Sequence, residues 1–288
     1  MNYVFDIGGM STKYEIYDKK TKVKEGNVVY KKFIDEKEIQ AIINQIIVEN
    51  KTDFKVGAIA ISSPGIINPE TGEISGLAAI ENYHLVNWKK ELSKWTDKVY
   101  VENDANCAAL AELFSGNAQK VNNAIFLIVG TGIGGSVIIN KKLFRGSHLQ
   151  AGEIGCNLEF IENKEFKNSS TQCSTNALIN FYEKLTKNKI TGEEILEKYH
   201  EDGNAKKAVD QMVFNLSKLI MNSSFLIDPQ LVLIGGGISK NNLFIALLIK
   251  QIDELYKLTE LKRQFEIKSC YYYNEANLIG ALSLIEEK

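Results

Sequence analysis

The sequence predicts an α/β protein, and two observations lead to that class. Three short apolar runs end at glycines, namely YVFDIGG at 3–9, AIFLIVGTGIGG at 124–135 and LVLIGGG at 231–237. Runs of this length that stop at turn residues are typical of buried strands. Helical spacing of apolar residues occurs between and around these runs, at 35–50, 104–114, 176–186 and 205–227. A chain in which strands and helices alternate is expected to form sheets covered by helices.

The first two glycine turns are predicted to join strands rather than to begin helices. After the first turn the chain continues as YEIYD and then VKEGNVVY, which indicates a strand meander. After the second turn SVIIN follows, a β-branched run where a dinucleotide-binding fingerprint requires a helix. The GxGxxG spacing of Gly130, Gly132 and Gly135 therefore does not indicate a dehydrogenase. No GxxxxGK[ST] occurs, so a Walker loop is excluded as well.

Glycine turns between strands can also hold phosphate groups. Glycine allows positive φ angles, which turn successive N–H groups toward an anion. Each turn alone is equally typical of a tight β-turn. Asp6 precedes the first turn and is suited to hold Mg²⁺ through water, and Lys13 follows it and is suited to approach phosphate oxygens. The combination favours a nucleotide-binding site.

The segment VENDANCAALAE at 101–112 carries polar residues where a strand-like run passes into an alanine-rich helix. Polar residues at such junctions commonly line a ligand crevice in α/β sheets. Asn and Asp are also favoured helix N-caps, so one of Asn103 and Asp104 is expected to cap this helix. No Glu or Gln stands three residues further on to complete a capping box. On local evidence both capping and catalysis stay open for Asp104.

The composition limits the classes of function. A chain of 288 residues is long enough for two lobes with sizeable cores. Its 34 Lys and Arg against 36 Asp and Glu give a net charge of −2, which provides no basic surface for nucleic acid or membrane. Without a membrane-length apolar run or a signal-like N-terminus, a cytoplasmic protein is expected. The four cysteines are widely spaced and are expected to be reduced thiols.

Six motifs in one order resemble the ROK family of bacterial sugar kinases and sugar-responsive repressors. They are DIGGMSTK at 6–13, SSPGIINPETG at 62–72, ENDANCAALAE at 102–112, GTGIGG at 130–135, AGEIG at 151–155 and LIGGGIS at 233–239. The resemblance implies an actin-like, ribonuclease-H-like fold of two lobes, each with a five-stranded sheet, and ATP and sugar in the cleft between them. It implies a first lobe at 1–116 with a returning helix near 275–288, and a second lobe at 117–274. It also implies a homodimer.

The resemblance implies a set of site residues as well. Phosphates and Mg²⁺ are expected at Asp6, Gly8, Gly9, Ser11, Thr12 and Lys13, and phosphates also at Thr131, Gly132, Gly134 and Gly135. Adenosine is expected near Gly235, Gly236 and Gly237, and sugar contacts at Gly65, Asn82, Asn103 and Glu153. Asp104 resembles the general base that takes the proton of the sugar 6-hydroxyl as this oxygen attacks the γ-phosphate. The helix N-terminus is expected to keep Asp104 ionised.

Two departures from the family pattern stand out. Most members carry threonine where this chain has Met10, and Ser11 or Thr12 is expected to replace that hydroxyl. The family's zinc segment, ExGH followed by CxCGxxGCxE, has lost its ligands. Cys156 stands at the histidine, and Ser170, Gln172 and Ala177 stand at the cysteines. Cys156, Cys173 and His148 remain the candidates for a rearranged site, but a buried cysteine typically behaves as a small hydrophobe.

The lost zinc segment also bears on the substrate. In relatives its histidine and its last glutamate are expected to contact the sugar near C1 and C2, and here Cys156 and Ile179 replace them. A polar side chain that binds the anomeric hydroxyl loses its hydrogen bond when this oxygen carries a substituent. Because this chain lacks both polar side chains, a substituent at C1 is expected to be tolerated. The segments NPETG, ENDANCAALAE and ITGEEI are most similar to those of β-glucoside kinases. N-acetylmannosamine kinase and glucokinase are the alternatives.

A sugar-sensing transcriptional regulator is the alternative of another class. Regulators of the family carry a helix-turn-helix domain ahead of the sugar-binding lobes. Here the first glycine turn begins at Asp6, and no basic patch replaces such a domain. The sequence therefore favours a kinase.

We predict that the purified protein contains no stoichiometric zinc, because Ser170, Gln172 and Ala177 offer no thiolate or imidazole ligands. Elemental analysis after dialysis against a mild chelator checks this. About one zinc per chain would contradict it and would make Cys156, Cys173 and His148 the ligands to mutate.

Overall fold

The computed structural model describes residues 1–32, 34–76, 78, 80–161 and 165–286. The chain divides into two units by its internal contacts, one formed by Met1–Ser115 with Asn274–Lys288 and the other by Gly116–Tyr273. Each unit contains one five-stranded sheet.

The sheet of the first unit combines an antiparallel meander with two parallel strands. Its strands are β1 (Asn2–Ile7), β2 (Ser11–Asp18), β3 (Thr21–Val29), β4 (Ala58–Ser63) and, after the short hairpin of β5 (Ile66–Ile67) and β6 (Ile74–Ser75), β7 (Val99–Asn103). The order in the sheet is β3-β2-β1-β4-β7. β1 is antiparallel to β2 and parallel to β4, which is parallel to β7. The meander expected from the first glycine turn is therefore confirmed.

Helices cover both faces of this sheet, because β1 is apolar on both sides. The helices are α1 (Glu36–Asn50), α2 (Trp88–Leu92), α3 (Asp104–Ser115) and α9 (Ala276–Glu286). Tyr3 and Phe5 are fully buried in the same cluster as the apolar stripe of α1. Val4 points to the opposite face, where it packs with residues of α3 and α9. α1 begins with a capping box in which Asp35 is the N-cap.

The sheet of the second unit repeats this arrangement. Its strands are β8 (Ala124–Val129), β9 (Ile133–Ile139), β10 (Lys142–Phe144), β13 (Leu231–Gly235) and β14 (Glu266–Ser269), in the order β10-β9-β8-β13-β14. β8 is antiparallel to β9 and parallel to β13. The strand expected after the GxGxxG spacing is therefore confirmed. A separate two-stranded hairpin is formed by β11 (Leu158–Ile161) and β12 (Glu165–Asn168).

The helices of the second unit are α4 (Ser170–Cys173), α5 (Thr175–Thr186), α6 (Gly192–Glu197), α7 (Gly203–Ile227) and α8 (Asn242–Lys257). Side chains cap the N-termini of the last four, through Ser174, Thr191, Asp202 and Asn241. Apolar residues of α5, α7 and α8 form one core with Ile125 and Leu127 of β8. Within the residues that the structure describes, no helix is long and apolar enough to cross a membrane.

The contact between α3 and α9 depends on a glycine. A Cβ atom added at Gly280 would fall far inside van der Waals contact with the backbone carbonyl of Cys107 in α3. Gly280 thus allows the two helices of the first unit to approach at backbone distance.

We expect Gly280→Ala to lower the free energy of unfolding by about 1–3 kcal/mol, because the added methyl group must displace a helix backbone. Urea unfolding followed by circular dichroism measures this. Gly203→Ala is the matched control, because a Cβ atom at this exposed first residue of α7 meets nothing within 4 Å. Equal unfolding midpoints for the two variants would contradict the close approach.

Candidate active site

Polar residues of the first unit meet at the carboxyl ends of its parallel strands. The strand register places Asp6 of β1 beside Ser62 of β4, and Ser62 beside Glu102 of β7. On the other side of β1, Asp6 is paired with Lys13 of β2. Side chains at paired positions point to the same face of a sheet. The structure therefore brings together Asp6 and Lys13, to which the sequence assigned roles, with Ser62 and Glu102, to which it assigned none.

The Asp6 carboxylate is held by two neutral donors. The Ser62 hydroxyl and the Asn277 side-chain amide both donate to Oδ1 of Asp6, at 3.1 and 3.0 Å. Burial raises the pKa of Asp6 above its ordinary value, and the contacts from Asn277, Ser62 and Lys13 lower it only in part. The cost of burying the Asp6 carboxylate is thus only partly offset by its neighbours. A carboxylate in this setting is suited to the water-mediated Mg²⁺ contact expected here.

The first glycine turn is a hairpin turn between β1 and β2. The N–H of Gly8 donates to the carbonyl of Ser11 at 2.9 Å. Met10 is 81% exposed at its tip. Thr12 is fully buried, and its hydroxyl bonds to that of Tyr30 at 2.7 Å. Of the two hydroxyls considered for the role of the family threonine, that of Ser11 is thus the more accessible.

Asp104 begins α3 directly after β7, but Asn103 is the residue that caps the helix. The side-chain oxygen of Asn103 accepts the backbone N–H of Asn106 at 3.1 Å. Asp104 instead accepts the N–H of the next residue, Ala105, through Oδ1 at 2.8 Å. The choice between capping and catalysis that the sequence left open is therefore resolved in part, since capping belongs to Asn103.

Burial and backbone hydrogen bonds act in opposite directions on the Asp104 carboxyl. Burial raises the pKa of its carboxyl above the ordinary value, the N–H of Ala105 lowers it, and the nearby Asp6 raises it further. Desolvation outweighs the hydrogen bonds at the helix N-terminus that favour the ionised form, and the ionised state expected for Asp104 stays a prediction. A raised pKa makes Asp104 a stronger base than an exposed aspartate.

Two of the expected sugar contacts lie together in the first unit. The side-chain amide of Asn103 donates to the carbonyl of Gly65 at 2.9 Å. Gly65 has φ +91°, and a Cβ atom there would lie 2.9 Å from the carbonyl of Ser75. Asn82, also at positive φ, is exposed and precedes a short 3-10 helix at Tyr83–Leu85. Asn103 thus links the loop after β4 to the start of α3.

In the second unit the loop that carries Glu153 packs on the second glycine turn. A Cβ atom on Gly135 would lie 2.7 Å from the carbonyl of Gly152, and one on Gly155 would overlap the carbonyl of Ile133. The Ser170 hydroxyl accepts the N–H of Ile133 at 3.0 Å and so fixes the turn from a third segment. Glu153 itself is exposed.

The backbone conformation of the glycine turns corrects one expectation. Positive φ angles were expected to turn the N–H groups of these turns toward phosphate. Of the glycines in the three turns, all within the described chain, Gly236 alone has a positive φ, at +87°. A Cβ atom on Gly236 would also overlap the carbonyl of Val129, so conformation and space both require glycine there. In the second turn, close backbone approach requires glycine at Gly135, whereas a Cβ atom on Gly130 would meet nothing within 4 Å.

The segment that aligns with the family's zinc ligands forms the N-terminal part of a helical region. Ser170 and Gln172 belong to α4 and Ala177 to α5. Cys173 is buried, its thiol near the carbonyl of Ser169, while Cys156 is exposed. Over the ranges that the structure describes, no group of three His, Cys, Asp or Glu side chains converges as a metal site. The absence of zinc stays a prediction.

Comparison with known proteins identifies the class of this chain. Residues 3–288 match the model of the ROK family. A β-glucoside kinase of Listeria monocytogenes is 34% identical over 293 residues, covering 96% of this chain and 95% of that protein. A ROK family protein from Streptococcus pneumoniae, solved in complex with sucrose, superposes with a TM-score of 0.89 at 30% identity, covering 99% of this chain and 98% of the other. A ROK family glucokinase from Streptomyces griseus, solved with glucose and AMPPNP, has a TM-score of 0.80 at 21% identity, covering 100% and 99%.

The fold is therefore the two-lobed actin-like ATPase fold, as expected from the motifs. The chain belongs to the ROK family.

We predict that Asp104→Asn lowers turnover by roughly 10²–10⁴-fold while ATP binding stays nearly unchanged.

We also expect Asp104→Asn to be at least as stable as the wild type at neutral pH. The raised pKa means that folding favours the protonated carboxyl of Asp104. The stability that protonation contributes is present at acid pH and is lost as the pH rises through the folded-state pKa. The two proteins should therefore converge in stability under acid conditions.

Steady-state kinetics, ATP titration and melting curves from acid to neutral pH check these expectations. Asp97→Asn, at an exposed position, is the control and should change neither turnover nor melting temperature. Wild-type turnover in Asp104→Asn would contradict the catalytic role.

Proposed function

We propose that this ROK-family sugar kinase transfers the γ-phosphoryl group of ATP to the 6-hydroxyl of a hexose unit, with a β-glucoside as the preferred acceptor. The observation that carries the proposal is the position of Asp104. Asp104 is the next residue after Asn103, whose side-chain amide donates to the carbonyl of Gly65. Asp6 lies close enough to Asp104 to raise the pKa of the Asp104 carboxyl. A base, a sugar-binding amide and a carboxylate suited to Mg²⁺ thus occupy one edge of one sheet.

In the proposed reaction Asp104 accepts the proton of the 6-hydroxyl. The oxygen of that hydroxyl forms a bond to the γ-phosphorus, and the bond from this phosphorus to the bridging oxygen of ADP breaks. A carboxylate with a raised pKa takes the proton more readily than an ordinary aspartate, as general-base catalysis requires. The remaining demands of phosphoryl transfer are alignment and charge neutralisation.

The nucleotide would be held by Asp6, Lys13 and the glycine turns. Mg²⁺, when bound with ATP, neutralises charge on the phosphates. Asp6 would hold it through water, and Lys13, whose ammonium lies 3.5 Å from the carbonyl of Asn274, would approach the phosphates. We assign Thr131, Gly132, Gly134 and Gly135 to the phosphates, and Gly235, Gly236 and Gly237 to adenosine.

The preference for a glycoside depends on Cys156. Its thiol is exposed two residues beyond Ile154, in the segment where relatives carry a histidine near C1. Ile179, the second replacement, packs partly buried against the core of its unit, so it has a structural role as well. The relative named β-glucoside kinase supports this preference. The neighbour solved with sucrose, a sugar in which both anomeric carbons are substituted, supports tolerance of a substituent at C1.

Two other acceptors remain candidates for the same chemistry. N-acetylmannosamine and glucose would use the same base and the same 6-hydroxyl, and relatives include a glucokinase of Halalkalibacterium halodurans at 28% identity. A homodimer and a cytoplasmic location are predictions that rest on the family resemblance and on composition.

We expect kcat/KM for a β-glucoside such as cellobiose to equal or exceed that for glucose, because Cys156 has no imidazole that would bind a free anomeric hydroxyl. Coupled ADP release over a panel of cellobiose, aryl β-glucosides, glucose and N-acetylmannosamine measures this. Efficient phosphorylation of a free sugar while every β-glucoside is inert would overturn the preference.

A pair of variants makes the cause of the preference testable. Cys156→His restores the family's polar group and should shift the ratio of kcat/KM values toward glucose. Cys156→Ser removes the thiol without adding an imidazole and should leave the ratio near that of the wild type.

A further inference from the structure

A buried chain of polar side chains runs behind the loops that carry the expected sugar contacts. Ser63 ends β4, Tyr83 begins the short 3-10 helix and Trp88 begins α2. Trp88 and Ser63 are fully buried, and Tyr83 is 2% exposed. The indole nitrogen of Trp88 lies 2.9 Å from the Tyr83 hydroxyl, which lies 2.7 Å from the Ser63 hydroxyl.

The chemistry of these groups fixes which atom donates and which accepts in each of these hydrogen bonds. The indole N–H of Trp88 can only donate, so the Tyr83 oxygen accepts from it. The Ser63 hydroxyl donates its single proton to the carbonyl of Pro64 at 3.1 Å. Ser63 is therefore the acceptor in its bond with Tyr83, and the Tyr83 hydroxyl is the donor. Burial raises the pKa of Tyr83, and the hydrogen bonds with Ser63 and Trp88 lower it only in part, so the phenol stays protonated.

The chain ends at residues that the proposed function assigns to the sugar. Pro64 is joined to Gly65, whose own carbonyl accepts the side-chain amide of Asn103 at 2.9 Å. At the other end, Tyr83 directly follows Asn82. One continuous path of hydrogen bonds and peptide bonds thus connects Asn82, Gly65 and Asn103 within the first unit.

We propose that Tyr83 is a positioning residue for sugar binding, because its hydroxyl sets the spacing between the Asn82 loop and the Pro64–Gly65 loop. The inference rests on the proposed function, which places the sugar at these loops. Tyr83 does not need to touch the substrate. It acts because a buried hydroxyl with two partners tolerates little change in the distance between them.

The alternative is that Tyr83 only stabilises the core, as buried tyrosines commonly do. Tyr3 provides the comparison, since it is fully buried in the same apolar cluster as Tyr83 and its hydroxyl donates to the carbonyl of Phe54 at 2.6 Å. Tyr3→Phe therefore removes one buried hydrogen bond from the same core, but none that leads to Gly65 or Asn82.

The experiment compares Tyr83→Phe and Tyr3→Phe with the wild-type protein. We expect Tyr83→Phe to raise the KM for the sugar about tenfold, the change that corresponds to one lost buried hydrogen bond. The KM for ATP should stay unchanged, and kcat should change less than the sugar KM, because Asp104 keeps its own contact with Ala105. Tyr3→Phe should lower the melting temperature with both KM values unchanged.

A second variant distinguishes the Trp88–Tyr83 hydrogen bond from the Tyr83–Ser63 hydrogen bond. Trp88→Phe removes the upstream donor but leaves the bond from Tyr83 to Ser63, so its sugar KM should rise less than that of Tyr83→Phe. If Tyr83→Phe and Tyr3→Phe have the same sugar KM, the positioning role is wrong, while the kinase assignment stands on the wild-type activity. If the wild-type protein phosphorylates no sugar of the panel, the proposed function fails and this inference fails with it.

Discussion

The parallel alignment of β1, β4 and β7 is the constraint on which the rest of the candidate site depends. Because the carboxyl ends of parallel strands meet at one edge, residues far apart in the sequence are forced into contact there. Asp6, Ser62 and Glu102 come to neighbouring positions through strand register alone. The start of α3 follows at the same edge, which brings Asp104 near Asp6. The acidic character of the site is thus a consequence of the topology.

This arrangement sets stability against function. Asp6 and Asp104 lie near each other, and burial raises the pKa of both. For Asp6 the compensation comes mainly from the neutral side chains of Asn277 and Ser62, with a smaller contribution from Lys13. Two buried carboxylates that are only partly compensated disfavour the folded state, but they also provide a base and an attraction for a cation. The neutral donors Asn277 and Ser62 stabilise the Asp6 carboxylate without adding a positive charge that would repel a cation.

The sequence predicts the elements of this fold better than it predicts their contacts. Glycine-terminated apolar runs and helical periodicity are local properties, so the strands around both glycine turns and the helix after Asn103 were predictable. Asn277 is 271 positions from Asp6, and no local pattern indicates that its amide reaches this carboxylate. The path from Trp88 to Pro64 is hidden for the same reason. Whether Asp104 or Asn103 caps α3 depended on side-chain rotamers, which residue types alone do not set.

The glycine turns show how one residue type serves different physical needs in the two units. Both sheets have the same order, with an antiparallel meander beside two parallel strands and a glycine turn between the first two strands of the meander. In the first unit Gly8 lets the turn close tightly on the carbonyl of Ser11, which a Cβ atom on Gly8 would approach to 3.3 Å. In the second unit Gly135 and Gly155 allow the Glu153 loop to lie directly against the turn. A side chain at either glycine would push this loop away, so the position of Glu153 relative to the turn depends on residues that carry no functional group.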